Sequence, residues 1–136
     1  MKCTPRFPVF LHGGDYNPDQ WLEYPDILEK DIRLMQKAKV NAVSVGIFSW
    51  AKLEPEEGKY DFGWLDAVID RLWAGGIHVV LATPSGARPA WMAQKYPEVL
   101  RVGEDFRRGH FGNRHNHCPS SPVFREKTKA IDRALA

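Results

Sequence analysis

The sequence predicts an α/β fold built on a parallel sheet. Short apolar, β-branched runs alternate with longer runs of helical period, in the order βαβαβ, a long loop, then α. The apolar runs show no polar alternation, the pattern of strands buried on both faces. The segments between them are long enough for helical crossovers, which are right-handed in parallel sheets.

The elements follow in chain order. "FPVFLHGG" (residues 7–14) is a short apolar run that two glycines close in a tight turn, and it reads as a buried strand. In "YPDILEKDIRLMQKAKV", Leu28, Ile32 and Met35 recur at helical spacing, with Asp26 and Glu29 early and Lys37 and Lys39 late. That is an amphipathic helix with charges that suit its dipole. "NAVSVGIF" (residues 41–48) reads as a second buried strand. Asp61 is placed to cap the next helix, Leu65, Val68, Ile69 and Leu72 form its apolar stripe, and Gly75-Gly76 stops it. "IHVVLATP" (residues 77–84) is the third strand. Residues 85–120 form a long segment with a short helix around "PAWMAQKYP". Ser121 caps a last helix with Pro122 in its first turn, and Val123, Ala130, Ile131 and Ala134 make its inner side. No repeat, linker or low-complexity tract divides residues 1–136, which read as one incomplete domain. "KAIDRALA" is still helical and carries no stop signal, so the chain is expected to continue past Ala136.

The composition, with 43% hydrophobic and 26% charged residues, excludes a disordered chain. A net charge of +2 without basic clusters gives no reason to expect a nucleic-acid or membrane partner. Two cysteines, Cys3 and Cys118, are too few for a disulfide framework. With no signal peptide and no long apolar run, the expectation is a soluble, cytoplasmic protein. Five Trp suit a carbohydrate site and a dense core equally.

"FSWAKLEPEEGKYDFGWLD" (residues 48–66) concentrates carboxylates and aromatic rings. Most of it reads structurally. Pro55 and Gly58 bracket a reverse turn with Glu56 and Glu57 solvated, and Asp66 is a solvated helix charge. Glu54 either orients backbone groups at the strand end or acts as an acid. Phe48 and Trp50, just past a strand end, are either a sugar-site wall or plain packing.

Together, "GGDYNPDQW", "GIFSWAKLEPEEGKYDFGWLD" and "NRHNHCPSSPVFRE" closely resemble the family 42 glycoside hydrolases, the β-galactosidases. The middle segment alone resembles the wider group of (β/α)8-barrel retaining glycosidases. The resemblance covers residues 13–126 in the family's order. It implies a truncated TIM barrel of which this chain supplies the first three βα units, since a full (β/α)8 barrel takes roughly 250 residues. Three strands of an opened barrel leave their inward apolar side chains uncovered.

Retaining glycosidases work with two carboxylates about 5–5.5 Å apart. The resemblance implies two glutamates on later strands, the first in an Asn-Glu pair. No Asn-Glu pair occurs here: Asn17, Asn41, Asn113 and Asn116 precede Pro18, Ala42, Arg114 and His117. The expectation is an inactive fragment with no catalytic residue of its own and no cofactor for catalysis. Arg114 matches the family's galactosyl-binding arginine, with a barrel-mouth salt bridge as the competing reading. Cys118 matches a cysteine that, in a subset of the family, holds a structural zinc with three later cysteines; otherwise it is a free thiol. "HNHC" offers His115, His117 and Cys118 as a local metal site, against the usual spacing of zinc ligands. His12 reads as a packed or hydrogen-bonded histidine. Asp15 and Tyr16 stand at the same rim without an assigned role, and "PSGARPAW" walls the sugar-binding end. The implied partners are a β-galactoside substrate and further copies of the parent enzyme in a trimer. The alternatives are a non-catalytic galactoside-binding half-barrel and a piece of a different barrel glycosidase.

Overall fold

A computed structural model describes residues 9–110, 112 and 114–136. Cys3 and the first two residues of the expected first strand lie outside the described residues. The chain divides into two compact units.

The first unit comprises the described residues up to Val45 together with Gly63–Leu81. It holds a three-stranded parallel sheet in the order β1 (Asp15–Tyr16), β2 (Ala42–Val45) and β3 (His78–Leu81). Tyr16 sits opposite Val45, and Val45 opposite Leu81. Helix α1 (Pro25–Lys37) joins β1 to β2. Its C-terminus closes with Lys39 in the left-handed region, where the Val40 N–H reaches the Met35 carbonyl at 2.9 Å. Helix α3 (Gly63–Ala74) ends on the same motif, with Gly76 at φ 77° and the Ile77 N–H on the Leu72 carbonyl at 2.9 Å. Here the glycine signal is in the sequence; at Lys39 it is not.

Three expectations change. The regular part of the first strand is Asp15–Tyr16, displaced from residues 7–14, and Phe10 is 76% exposed where a buried residue was expected. Nor do Gly13 and Gly14 make a tight turn. The chain runs on beside β2, with the Asn41 N–H on the His12 carbonyl and the Ser44 N–H on the Gly14 carbonyl. A Cβ at Gly13 would lie 1.7 Å from the Ala42 carbonyl oxygen, so close backbone approach is what requires glycine there. Strands β2 and β3 are shorter than expected: Gly46, at φ 94°, turns the chain out of β2. Finally, α3 starts at Gly63, so the cap position falls on Phe62, and Asp61 instead donates its backbone N–H to the Leu53 carbonyl.

The second unit comprises Gly46–Phe62 and Ala82–Ala136. It contains α2 (Trp50–Leu53), α4 (Ala90–Lys95) and α5 (Pro122–Leu135), linked by 3-10 turns at Pro84–Gly86 and Pro97–Val99. Helix α5 begins as the sequence predicts: the Phe124 N–H donates to Ser121 Oγ at 3.3 Å. Its inner side differs. Phe124 and Ile131 are buried, whereas Ala130 is exposed. The bulky Phe124 ring takes the inward position, against Trp50 with ring centroids 6.1 Å apart.

Candidate active-site segment around Arg114

The second unit is organised on Glu54. Its carboxylate is 3% exposed, accepting the Trp50 indole N–H at 2.7 Å and the Gly58 backbone N–H at 2.8 Å. The Glu54 carbonyl accepts the Trp91 indole N–H at 2.8 Å. A buried carboxylate needs such donors. Glu54 therefore orients its neighbours, as one of its two readings held. Trp50 is fully buried, which settles it as packing and removes it from any sugar-site wall.

The two turn acids part company. Glu56 is exposed and pairs with Lys59. Glu57, expected to be solvated, instead binds Lys127 at 2.8 Å, Lys95, and the Tyr96 hydroxyl at 3.0 Å. The hydrogen bonds from Lys127 and Lys95 bring its pKa down to about 2. Their ammonium groups come from α5 and α4, which no local sequence pattern ties to this turn. Asp66 is exposed on α3, as expected.

Arg114 lies with its guanidinium carbon 3.9 Å from the centre of the Phe48 ring. Cation–π stacking of this kind covers one face of the guanidinium and leaves its edge free. The guanidinium makes no hydrogen bond or ion pair with the described residues. That removes the salt-bridge reading as far as those residues go. Phe48 remains half-buried beneath it.

A cleft of about 320 Å³ opens beside Arg114, lined also by Ala87, Arg88 and Ala90 of the "PSGARPAW" segment and by His115, Asn116 and His117. Sequence reasoning placed Arg88 here only as part of "PSGARPAW" and named His117 only as a metal ligand; it did not single out Asn116. Arg88 donates from Nε to the Asn116 carbonyl at 3.2 Å, and partial burial lowers its pKa without neutralising it. His117 is 7% exposed, with its ring stacked on Phe124 at a centroid distance of 4.0 Å. Burial, then the nearby His115 and Arg88, push its pKa down, so it is neutral at neutral pH. The adjacency of "NRHNHC" to a helix-capping "PSSP" was the available signal, but which of its side chains turn inward is a tertiary fact.

The remaining candidates fall elsewhere. Cys118 is a half-buried free thiol with its backbone N–H on the Val99 carbonyl at 2.8 Å. Among the described residues no three His, Cys, Asp or Glu side chains converge, so "HNHC" does not form a metal site. Among the described residues a tetrahedral zinc would find one ligand here, Cys118, and not a complete set. His12 is exposed, with Nδ1 3.2 Å from the Lys39 carbonyl oxygen and its backbone N–H on Asn41 Oδ1. It is hydrogen-bonded but not packed. Asp15 is exposed, and Tyr16 donates its hydroxyl to Asp31 at 2.9 Å; burial, then this hydrogen bond, raises the phenol's pKa. A larger cleft in the first unit, about 470 Å³, runs along α1 and α3 past Trp21, Leu22 and Trp64. Its charged groups are already paired, Arg71 with Glu29 and Asp26 with Lys30, so it offers little to orient a polar ligand.

The sequence model of glycoside hydrolase family 42, described as Beta-galactosidase, matches residues 15–136. The chain belongs to this family. It is 63% identical over 138 residues to the β-galactosidase BglY of Alicyclobacillus acidocaldarius, covering 99% of this chain and 20% of the relative. It is 60% identical over 126 residues to the β-galactosidase GanA of Bacillus subtilis, covering 93% and 19%. Among solved structures, Gan42B, a GH42 β-galactosidase from G. stearothermophilus, superposes with a TM-score of 0.89 at 60% identity, over 93% of this chain and 18% of that one. The β-galactosidase of Bacillus circulans sp. alkalophilus gives 0.90 at 46%, over 96% and 19%. The family-42 chain therefore spans about a fifth of the length of these relatives. Its parallel strands and helices are three βα units of a truncated TIM barrel. Among the described residues no helix is long and apolar enough to cross a membrane.

Proposed function

We propose that this chain supplies part of the galactosyl-binding subsite of a retaining β-galactosidase, with Arg114 gripping the sugar. The observation that carries the reading is the Arg114 guanidinium, stacked on Phe48 and without a carboxylate partner among the described residues. Its five N–H donors form a planar fork suited to neighbouring sugar hydroxyls.

Retention takes two displacements. A glutamate attacks the anomeric carbon while a second carboxyl group protonates the leaving oxygen; water then releases galactose from the glutamyl ester. A glutamate-to-alanine catalytic mutant is among the solved forms of Gan42B. This chain has no Asn-Glu pair, so in this reading both glutamates come from outside it and it is inactive alone. Arg114 binds and orients; it moves no proton. Cys118 is assigned as one thiolate ligand of a structural zinc whose other ligands also lie outside the chain. The parent acts as a cytoplasmic homotrimer on β-galactosides, without a nucleic-acid or membrane partner and without a cofactor for catalysis.

The test is a chimera in which this chain replaces the matching segment of the Bacillus subtilis enzyme. The chimera is expected to hydrolyse a nitrophenyl β-galactoside, and the 136-residue chain alone is not. Arg114→Ala is expected to lower kcat/KM by roughly 10- to 100-fold, the loss of one or two charge-assisted hydrogen bonds. Turnover by the chain alone, or an Arg114→Ala chimera with unchanged kinetics, overturns the reading.

A further inference from the structure

We propose that Asn116 is a positioning residue that sets Arg114 on the Phe48 ring, fastened in turn by Arg88; the substrate-binding consequence rests on the function proposed above. Asn116 Nδ2 donates to two carbonyls of the segment leading into Arg114, those of His110 and of Gly112, the latter at 3.2 Å. One amide group thus ties residue 116 back to residues 110 and 112. The Asn116 carbonyl takes the Nε–H of Arg88 at 3.2 Å, and the His115 N–H donates to the Gly86 carbonyl at 3.2 Å. These two bonds tie residues 115 and 116 to Gly86 and Arg88, in the segment after β3.

Arg114 lies inside this clasp, between the carbonyl of Gly112 and the amide of His115. His115 sits at φ 58°, in the left-handed region that few residues other than glycine adopt. The fit is close. A Cβ at Gly109 would come within 2.6 Å of Asn116 Oδ1, so glycine at 109 makes room for the amide. Arg114 has no polar partner of its own among the described residues. A long flexible side chain in that situation keeps one orientation only if its backbone is fixed, and the Asn116 clasp fixes it.

The chemistry asks for a donor at this position, which separates Asn116 from a residue that merely fills space. In the active chimera, Asn116→Ala is expected to raise KM for the galactoside and lower kcat/KM about tenfold. Asn116→Asp, which has the same shape but no N–H, is expected to lose as much. In an Arg114→Ala background neither substitution should lower kcat/KM further, since each acts through the same guanidinium. A crystal structure of the Asn116→Ala enzyme should show the Arg114 guanidinium displaced from Phe48. Full activity in Asn116→Asp, additive losses with Arg114→Ala, or a guanidinium still stacked on Phe48 overturns the proposal. Should Arg114→Ala leave KM unchanged, it is the sugar-binding reading that fails, while the crystal structure still decides the positioning role.

Discussion

In the sheet unit, Val43 and Val45 of β2 are buried, yet Val80 and Leu81 of β3 stand 53% and 42% exposed. The second unit, built on helices and 3-10 turns, has Trp50, Leu53, Met92 and Val99 fully covered. The contrast runs against the usual burial of parallel strands on both faces. It follows from what each needs to become dry. Val80 and Leu81, neighbours on one strand, face opposite sides of the sheet; the side that looks into a barrel is covered only by other strands, and three strands do not close one. The second unit closes around buried polar anchors: Glu54 takes the N–H groups of Trp50 and Gly58, and its carbonyl takes that of Trp91. The segment that carries Arg114 belongs to this second, self-anchored unit.

The largest test of that contrast is at Trp50. In the chimera, Trp50→Ala is expected to cost about 3–5 kcal/mol in urea unfolding, because it opens a cavity and takes away one of Glu54's two donors. Trp50→Phe separates the two effects: it keeps most of the ring and is expected to cost about 1–3 kcal/mol for the lost N–H alone. A neutral Trp50→Phe would mean that Glu54 does not anchor the unit. Next is Val80, exposed in this chain. If the barrel covers it, Val80→Ser in the chimera should cost about 2 kcal/mol, the loss of a buried apolar group and the gain of a hydroxyl. A change within about 0.5 kcal/mol, typical of a surface site, would show that this face stays wet even in a full-length enzyme.

The smallest effect is expected at Glu57, whose carboxylate solvent still reaches. Its pKa falls from the ordinary 4.5 to about 2 in the folded protein. The unfolded chain therefore binds this proton more readily. The stabilisation is complete above pH 4.5 and is lost as pH falls from there toward 2. Glu57→Gln should be less stable than the parent at pH 6 and converge with it near pH 2. A deficit that does not change with pH would assign Glu57 a packing role and not the ionic one.

Much of the fold was legible along the chain. The stripe of Leu28, Ile32 and Met35, the Gly75-Gly76 stop and the Ser121-Pro122 start each act within a few residues, and α1, α3 and α5 follow them. Of the residues around the cleft, Arg114 was named through resemblance and "PSGARPAW" through its place after the third strand; Cys118 falls outside it. The clasp of Asn116 and Arg88 spans 28 positions, and the ties of Glu57 to Lys95 and Tyr96 span 38 and 39. No periodicity reports such pairs, because each member alone resembles an ordinary polar surface residue.

The sequence by itself determined the order of strands and helices, the family, and the absence of an Asn-Glu pair, since propensity, caps and motifs are written in neighbouring residues. Only the tertiary structure decided that Trp50 is core and Phe48 a platform, that Glu54 is an anchor, and that Arg114 reaches no carboxylate among the described residues. Those outcomes depend on which distant groups arrive to take a hydrogen bond or exclude water, and a side chain's role is set by that environment.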